Sequence, residues 1–392
     1  MRCRTPKLVF VKDYKTFIKV PCNSPTCYAC SCNKRAEWVL RSQVEYQKHI
    51  KNGGSAYFCT FTYNDEHLYA PHLPPQTRKL KLDTASLKAG EFKDIDFNYY
   101  DEFSDLDFFP SGEFPDYGDF LLNPEHATEL CNNLQNNYRM MYFPEEFKLF
   151  KKFSQMASRY YNKEDYQFAC YYKEKAFKIR PPLVRMYIVG EYGDLTNRPH
   201  LHSLFFFKNF VTQEDLINLL SKVWKYGNID VGYSVETAAI NYVAKHQVKD
   251  CCGNEFQQKV SPIFSRVSKY DGGLGYDLRF DPTIKYKYEH PETEEQSISI
   301  IDGSKEFYFS FPRYVRKFLH PDKLTYDEIQ DVVNVTNDAY YKMVTETAIT
   351  AGIPFDIHTE DRVFAYNKEQ DEIQRKIYKD NKLTNKKLHY HG

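Results

Sequence analysis

Two-residue alternation marks the first strong element of the chain. In residues 55–63, SAYFCTFTY, the side chains of Phe58, Thr60 and Thr62 fall on one side and those of Tyr57, Cys59, Phe61 and Tyr63 on the other, which predicts a strand. LVRMYIVGEYG (183–193) predicts a strand ending in a turn, and LHSLFFF (201–207) its antiparallel neighbour. Elsewhere the period is helical. A helix is expected from about Asn33, its cap, to Ile50, and it carries Trp38, Arg41 and Glu45. From Pro144, Phe147, Phe150, Phe153, Met156 and Tyr160 recur at near-helical spacing, with Lys148, Lys151, Lys152 and Arg159 elsewhere around the helix; the aromatic stripe reads as core. Helices over about 212–224 and 236–249 flank a short strand, NIDVGYSV. Strands interleaved with single helices and hairpins predict an α+β sandwich on an antiparallel sheet.

Between about 70 and 140 the pattern lapses into FKDIDFNYYDEFSDLDFFPSGEFPDYGDF, acidic, aromatic and broken by Pro110 and Pro115. This stretch reads as a surface insertion outside the central sheet, solvated by default. Three regions result: a Cys-rich segment and helix over residues 1–54, a core over residues 55–250 that contains the insertion, and an accessory region over residues 251–392 packed on the core. The last of these starts loop-rich, passes through strand-like EFYFSFPRYV and ends in polar helical segments with a frayed KKLHYHG.

The 392 residues suffice for a substantial core. Basic and acidic side chains balance at 53 each, so attraction to a polyanion must come from local patches. The 33 tyrosines and 30 phenylalanines supply many flat faces, most of them expected in the core or on the sheet. No stretch approaches the roughly 20 apolar residues that span a bilayer, and MRCRTPKLVFVKDYK lacks the apolar run of a signal peptide, so a cytoplasmic protein with no membrane partner is expected. The ten cysteines are then expected to stay reduced. Four of them, Cys22, Cys27, Cys30 and Cys32, lie within eleven residues and are candidates for a structural zinc site, although the spacing is not a paired CxxC array and Cys30 and Cys32 are crowded.

The chemistry concentrates in two short segments. In NRPHLHSLFF, His200 and His202 project from the same side of a strand and can hold one metal ion. In SVETAAINYVAKHQVKD, Ala239, Ile240, Val243 and Ala244 form an apolar helical face, while Tyr242, Lys245, His246 and Lys249 run along another. A phenolate can attack a phosphodiester when a metal withdraws charge from the phosphate oxygens, and a lysine one turn away stabilises that charge or lowers the phenol pKa.

RPHLHSLFF resembles the histidine-hydrophobic-histidine motif, and NYVAKHQVK the Tyr-x-x-Lys motif, of the HUH single-strand endonucleases; FCTFTYNDEHL is similar to their first motif, and the three occur in the family's order. The nearer likeness is to the replication initiators of microviruses, especially the gokushovirus-like group, carried by the Cys22 to Cys32 run before a helix, GEYG before the histidines, and Pro312 to Tyr314. It covers roughly residues 20–320. The resemblance implies a ferredoxin-like antiparallel sheet of about five strands with flanking helices, and a rolling-circle initiator that nicks single-stranded origin DNA through a 5′-phosphotyrosine link and rejoins the ends.

By the same likeness His200 and His202 become ligands to Mg²⁺ or Mn²⁺, Tyr242 the nucleophile and Lys245 the motif lysine. Glu191 is the candidate third ligand, with Glu236 as the alternative. His246 stands where many relatives have a second tyrosine, so Tyr242 acts alone or in a pair of molecules, with His246 and Lys249 as candidate auxiliaries. Arg185, Arg198, Lys208 and Lys222 are candidates to track the DNA backbone. No P-loop of the form GxxxxGK[ST] occurs, which leaves unwinding to a host helicase in the bacterial cytoplasm. Two other readings stay open: a relaxase or transposase of the same chemistry, and a zinc-stabilised DNA-binding protein that cleaves nothing.

Overall fold

The computed structural model describes residues 7–11, 15–20, 22, 27–77, 79, 81, 116–193, 196–232, 235, 237–246, 255–290, 297–302, 305–312, 315, 319, 326–367, 369–370 and 373. At the centre lies a five-stranded, wholly antiparallel sheet. Its strands are β3 (Ser55–Thr62), β4 (Arg185–Tyr192), β5 (Pro199–Phe207), β6 (Ile229–Val231) and β7 (Phe264–Val267), in the spatial order β6-β3-β5-β4-β7. The expected strands at 55–63, 183–193 and 201–207 are therefore present, and β4 and β5 pair as anticipated.

β5 is central, and its two faces differ. Leu201, Ser203, Phe205 and Phe207 point to one side, where Phe205 and Phe207 join Tyr57, Phe61, Met186 and Ile188 in the larger core. That core is roofed by α2 (Pro124–Tyr142) and α5 (Gln213–Val223), through Leu130, Leu134, Tyr138, Leu216, Leu219 and Leu220. Burying each such side chain is worth about 1.5–3 kcal/mol. On the other face Leu204 and Phe206 meet Tyr187, Val189 and Ala56 under α1 (Tyr28–Lys51) and α6 (Thr237–His246). The class is α+β, with helices on both faces of the sheet.

Two hairpins and three further helices surround this layered core. β1 (Lys7–Val11) and β2 (Thr16–Val20) pair with each other. The short helix α7 (Glu255–Val260) carries the buried Gln257, whose Nε2 donates to the carbonyls of Tyr117 at 3.2 Å and Phe120 at 2.7 Å. β8 (Ser297–Asp302) and β9 (Lys305–Ser310) lie against α1, where Ile298, Ile300 and Phe311 enclose Leu40 together with Ile284 of α8 (Pro282–Glu289). The long helix α9 (Tyr326–Ala351) packs on β2. No described helix is long and apolar enough to cross a membrane.

Three expectations need correction. Helix α1 starts at Tyr28 with Cys27 as its N-cap, so Asn33 sits inside it and caps nothing. The stretch read as a surface insertion rejoins the core by Tyr117: Tyr117, Phe120 and Leu122 are buried, and α2 is the main roof of the sheet. The acidic run over 82–115 lies outside the described residues. The aromatic stripe of α3 (Pro144–Tyr161) mostly packs not in the core but on a second helix, α4 (Tyr166–Lys178), where Tyr160 stacks on Tyr172 at 5.5 Å and on Phe168 at 5.3 Å; of the stripe only Phe147 is buried.

Candidate metal centre and its tyrosine

Register places the candidate ligands. Glu191 of β4 lies directly opposite His200 of β5, and Thr60 of β3 opposite His202, so all four side chains stand on the face that α6 covers. Every residue of β4 is buried, and Glu191 is only 2% exposed. A carboxylate so placed requires cationic partners.

The three ligand atoms form a tight triangle. Glu191 Oε1 is 3.0 Å from His200 Nε2 and 3.0 Å from His202 Nε2, and the two Nε2 atoms are 3.1 Å apart. An octahedral ion with ligands at about 2.1 Å separates neighbouring ligand atoms by about 3.0 Å, and a tetrahedral ion by about 3.4 Å. The triangle therefore matches one face of an octahedron, with the opposite face left for water and phosphate oxygen. Imidazole and carboxylate in this arrangement suit a divalent ion of the Mn²⁺ or Mg²⁺ kind.

Hydrogen bonds behind the ligands point the same way. His200 Nδ1 lies 3.0 Å from the carbonyl oxygen of Arg198, to which it must donate, so in the neutral ring Nε2 presents a lone pair toward Glu191 and His202. A lone pair facing a carboxylate oxygen is repulsive unless a cation lies between them. His202 Nδ1 is 3.1 Å from Thr60 Oγ1, which fixes the second ring. Arg198 is itself anchored: its Nη2 donates to the Tyr63 carbonyl at 2.7 Å and to Asp65 Oδ1 at 2.6 Å, and its guanidinium lies 4.3 Å over Tyr117.

Tyr242 is delivered to this centre by α6. Ile240, Val243 and Ala244 are fully buried against Val189 and Leu204, which turns Tyr242, half-buried, toward the histidines. Its ring meets His202 edge-on, with centroids 5.0 Å apart at 79°, and meets Phe58 at 5.9 Å and 86°, while Phe58 stacks on His202 at 5.6 Å. Lys245 follows one turn along the same helix, also half-buried. His246 is the last residue of α6; Lys249 and the alternative ligand Glu236 lie outside the described residues.

Thr60 and Phe58 were not among the residues that sequence reasoning selected for the site. Their shared face was visible in the alternation of residues 55–63, but its coincidence with the histidine face depends on strand register. The DNA-tracking candidates fare differently. Arg185 is buried; its Nε donates to Glu45 Oε1 at 3.0 Å and its terminal nitrogens to the carbonyls of Tyr270 and Gly273, so it does not face DNA. Lys208 is exposed beyond the far end of β5, about 26 Å from His200 at the strand rise, and Lys222 is exposed on α5, across the sheet from the metal face. Of the cysteine run, Cys22, Cys27 and Cys30 gather with their sulfurs within 4.8 Å of one another, and Cys32 is not part of that group.

Comparison with known proteins agrees with the region that geometry selects. A family model described as a replication-associated protein of the ORF2 type matches residues 144–251, a span that includes Glu191, His200, His202, Tyr242 and Lys245. Over 164 residues the chain is 29% identical to the replication-associated protein VP4 of Bdellovibrio phage phiMH2K. The chain resembles microvirus replication initiators. The alignment with the phage protein takes in 38% of this chain and 48% of that one, about half its length. No solved structure matches the chain.

Proposed function

We propose that the chain is a metal-dependent, tyrosine-based DNA endonuclease and strand transferase of the HUH type, which initiates rolling-circle replication by nicking a single-stranded origin. In this reading the antiparallel sheet is a ferredoxin-like HUH core elaborated on both faces. The observation that carries the proposal is a phenol in edge contact with one imidazole of a buried Glu-His-His triangle.

The bound Mg²⁺ or Mn²⁺ would draw charge from the non-bridging oxygens of the scissile phosphate and fix its orientation. Tyr242, having lost its phenolic proton, attacks phosphorus through Oη. The bond from phosphorus to O3′ breaks, the departing O3′ takes up a proton, and the 5′ phosphate remains on tyrosine. Attack on that phosphotyrosine by a DNA 3′-hydroxyl reverses the step and restores the phenol. Lys245, one turn along α6, stabilises phosphate charge. Glu191, His200 and His202 hold the ion; Thr60 and the Arg198 carbonyl hold the rings. Because His246 replaces the second tyrosine of many relatives, one phenol per chain performs each transfer. Unwinding falls to a host helicase in the bacterial cytoplasm.

The test offers single-stranded oligonucleotides tiling the source genome to the protein with Mn²⁺, and looks for a covalent protein-DNA adduct on a denaturing gel. One oligonucleotide region should give an adduct that chelation abolishes, that Tyr242→Phe lacks, and that His202→Ala reduces by about 10²-fold or more. DNA retained throughout the tiled set without any cleavage would leave a non-cleaving DNA-binding protein. An adduct surviving in Tyr242→Phe would remove Tyr242 from the reaction.

A further inference from the structure

Independently of the nicking reading, we infer a second metal site, remote in chemistry from the first: a zinc ion held by the thiolates of Cys22, Cys27 and Cys30, which ties the end of β2 to the first turn of α1.

The sulfur geometry carries it. Cys22 Sγ and Cys30 Sγ are 3.7 Å apart. A tetrahedral zinc with bonds of about 2.3 Å to sulfur sets its sulfurs about 3.8 Å apart, whereas a disulfide needs about 2.05 Å. All three sulfurs converge within 4.8 Å, and no disulfide joins them. Simple apolar packing does not account for this, because among the described residues the buried cluster here consists of Cys27 and Cys30 with Cys22 against them, and no other type of apolar side chain joins it. Cysteine can pack as a small hydrophobe, but packing does not require three sulfurs to point at one centre.

The backbone supports thiolate over thiol. Cys27 is the N-cap of α1 and Cys30 lies in its first turn, so both sulfurs sit at the positive end of a 24-residue helix with no acidic residue in its first turn. Cys32 stays out for a simple reason: two residues of helix past Cys30 rotate it by about 200° to the other side. Three thiolates select a soft or borderline cation, which excludes the ion preferred by Glu191 and the histidines.

The tie matters because of what each end holds. β2 packs on α9, while α1 stacks Trp38 on Tyr187 at 5.1 Å, sends Glu45 to Arg185, and packs on α6, the tyrosine helix. Zinc would lock the N-terminal hairpin to the helix that buttresses the catalytic face.

The experiment measures zinc in the full chain, purified without added metal, by elemental analysis. It then follows release when a mercurial blocks the thiols. About one zinc per chain is expected, released by the mercurial, retained in His202→Ala and lost in Cys27→Ser/Cys30→Ser. Should the double variant not fold, cobalt substitution of the wild-type protein decides: a sulfur-to-cobalt charge-transfer band is expected, which imidazole and carboxylate ligands cannot produce. Absence of zinc together with absence of that band would overturn the proposal. So would zinc retained by a folded double variant, or a Cys22 to Cys30 disulfide found by peptide mapping of the native protein.

Discussion

At the scale of single residues, the centre depends on groups that touch no substrate. His202 is oriented by Thr60, and His200 by a backbone carbonyl that an anchored arginine holds in place. Thr60→Val removes the oxygen facing His202 Nδ1 with little change in volume. It should weaken Mn²⁺ affinity by about 10–100-fold, seen as a higher Mn²⁺ concentration for half-maximal metal binding, with Thr60→Ser close to wild type. The histidine pair was legible because strand periodicity alone puts residues i and i+2 on one face. Arg185 was not. An arginine at a strand end looks like a phosphate contact until its partner, Glu45, arrives from 140 residues away and both are buried.

At the scale of elements, what the chain announced locally it kept. β3, β4, β5 and the helix bearing Tyr242 all carry their period in a few consecutive residues. The region before Pro144 misled because acidic composition over residues 92–120 was extended to its neighbours, although α2 has its own apolar stripe of Ala127, Leu130, Leu134 and Tyr138. Leu134→Ala tests the corrected view. It should cost about 2–5 kcal/mol in urea denaturation, whereas the same change on a surface insertion would fall within about 0.5 kcal/mol.

The start of α2 also predicts a pH response. His126 stacks on Tyr226 at 3.8 Å near the positive end of that helix, and burial lowers its pKa from the ordinary 6.5. Folding therefore favours the neutral ring. The stability this ring contributes is complete above pH 6.5 and is lost as pH falls toward the lowered value. Comparing urea midpoints at about pH 7.5 and pH 5.5, His126→Phe, which keeps the stack, should lose less stability on acidification than wild type. An equal loss would remove His126 as a cause.

At the scale of the molecule, a chain with no net charge concentrates its chemistry where the sheet, α1 and α6 meet. The tyrosine helix packs on the metal face of the sheet and on α1, whose first turn carries the three converging cysteines. The sequence named the two histidines and the tyrosine, but the mutual distances that make them one centre came only with the pairing of strands far apart in the chain. The most direct measurement is to digest the covalent adduct formed with Mn²⁺ and origin DNA and to locate the modified residue by mass spectrometry. The account predicts a 5′-phosphonucleotide on Tyr242; its attachment to any other residue would contradict it.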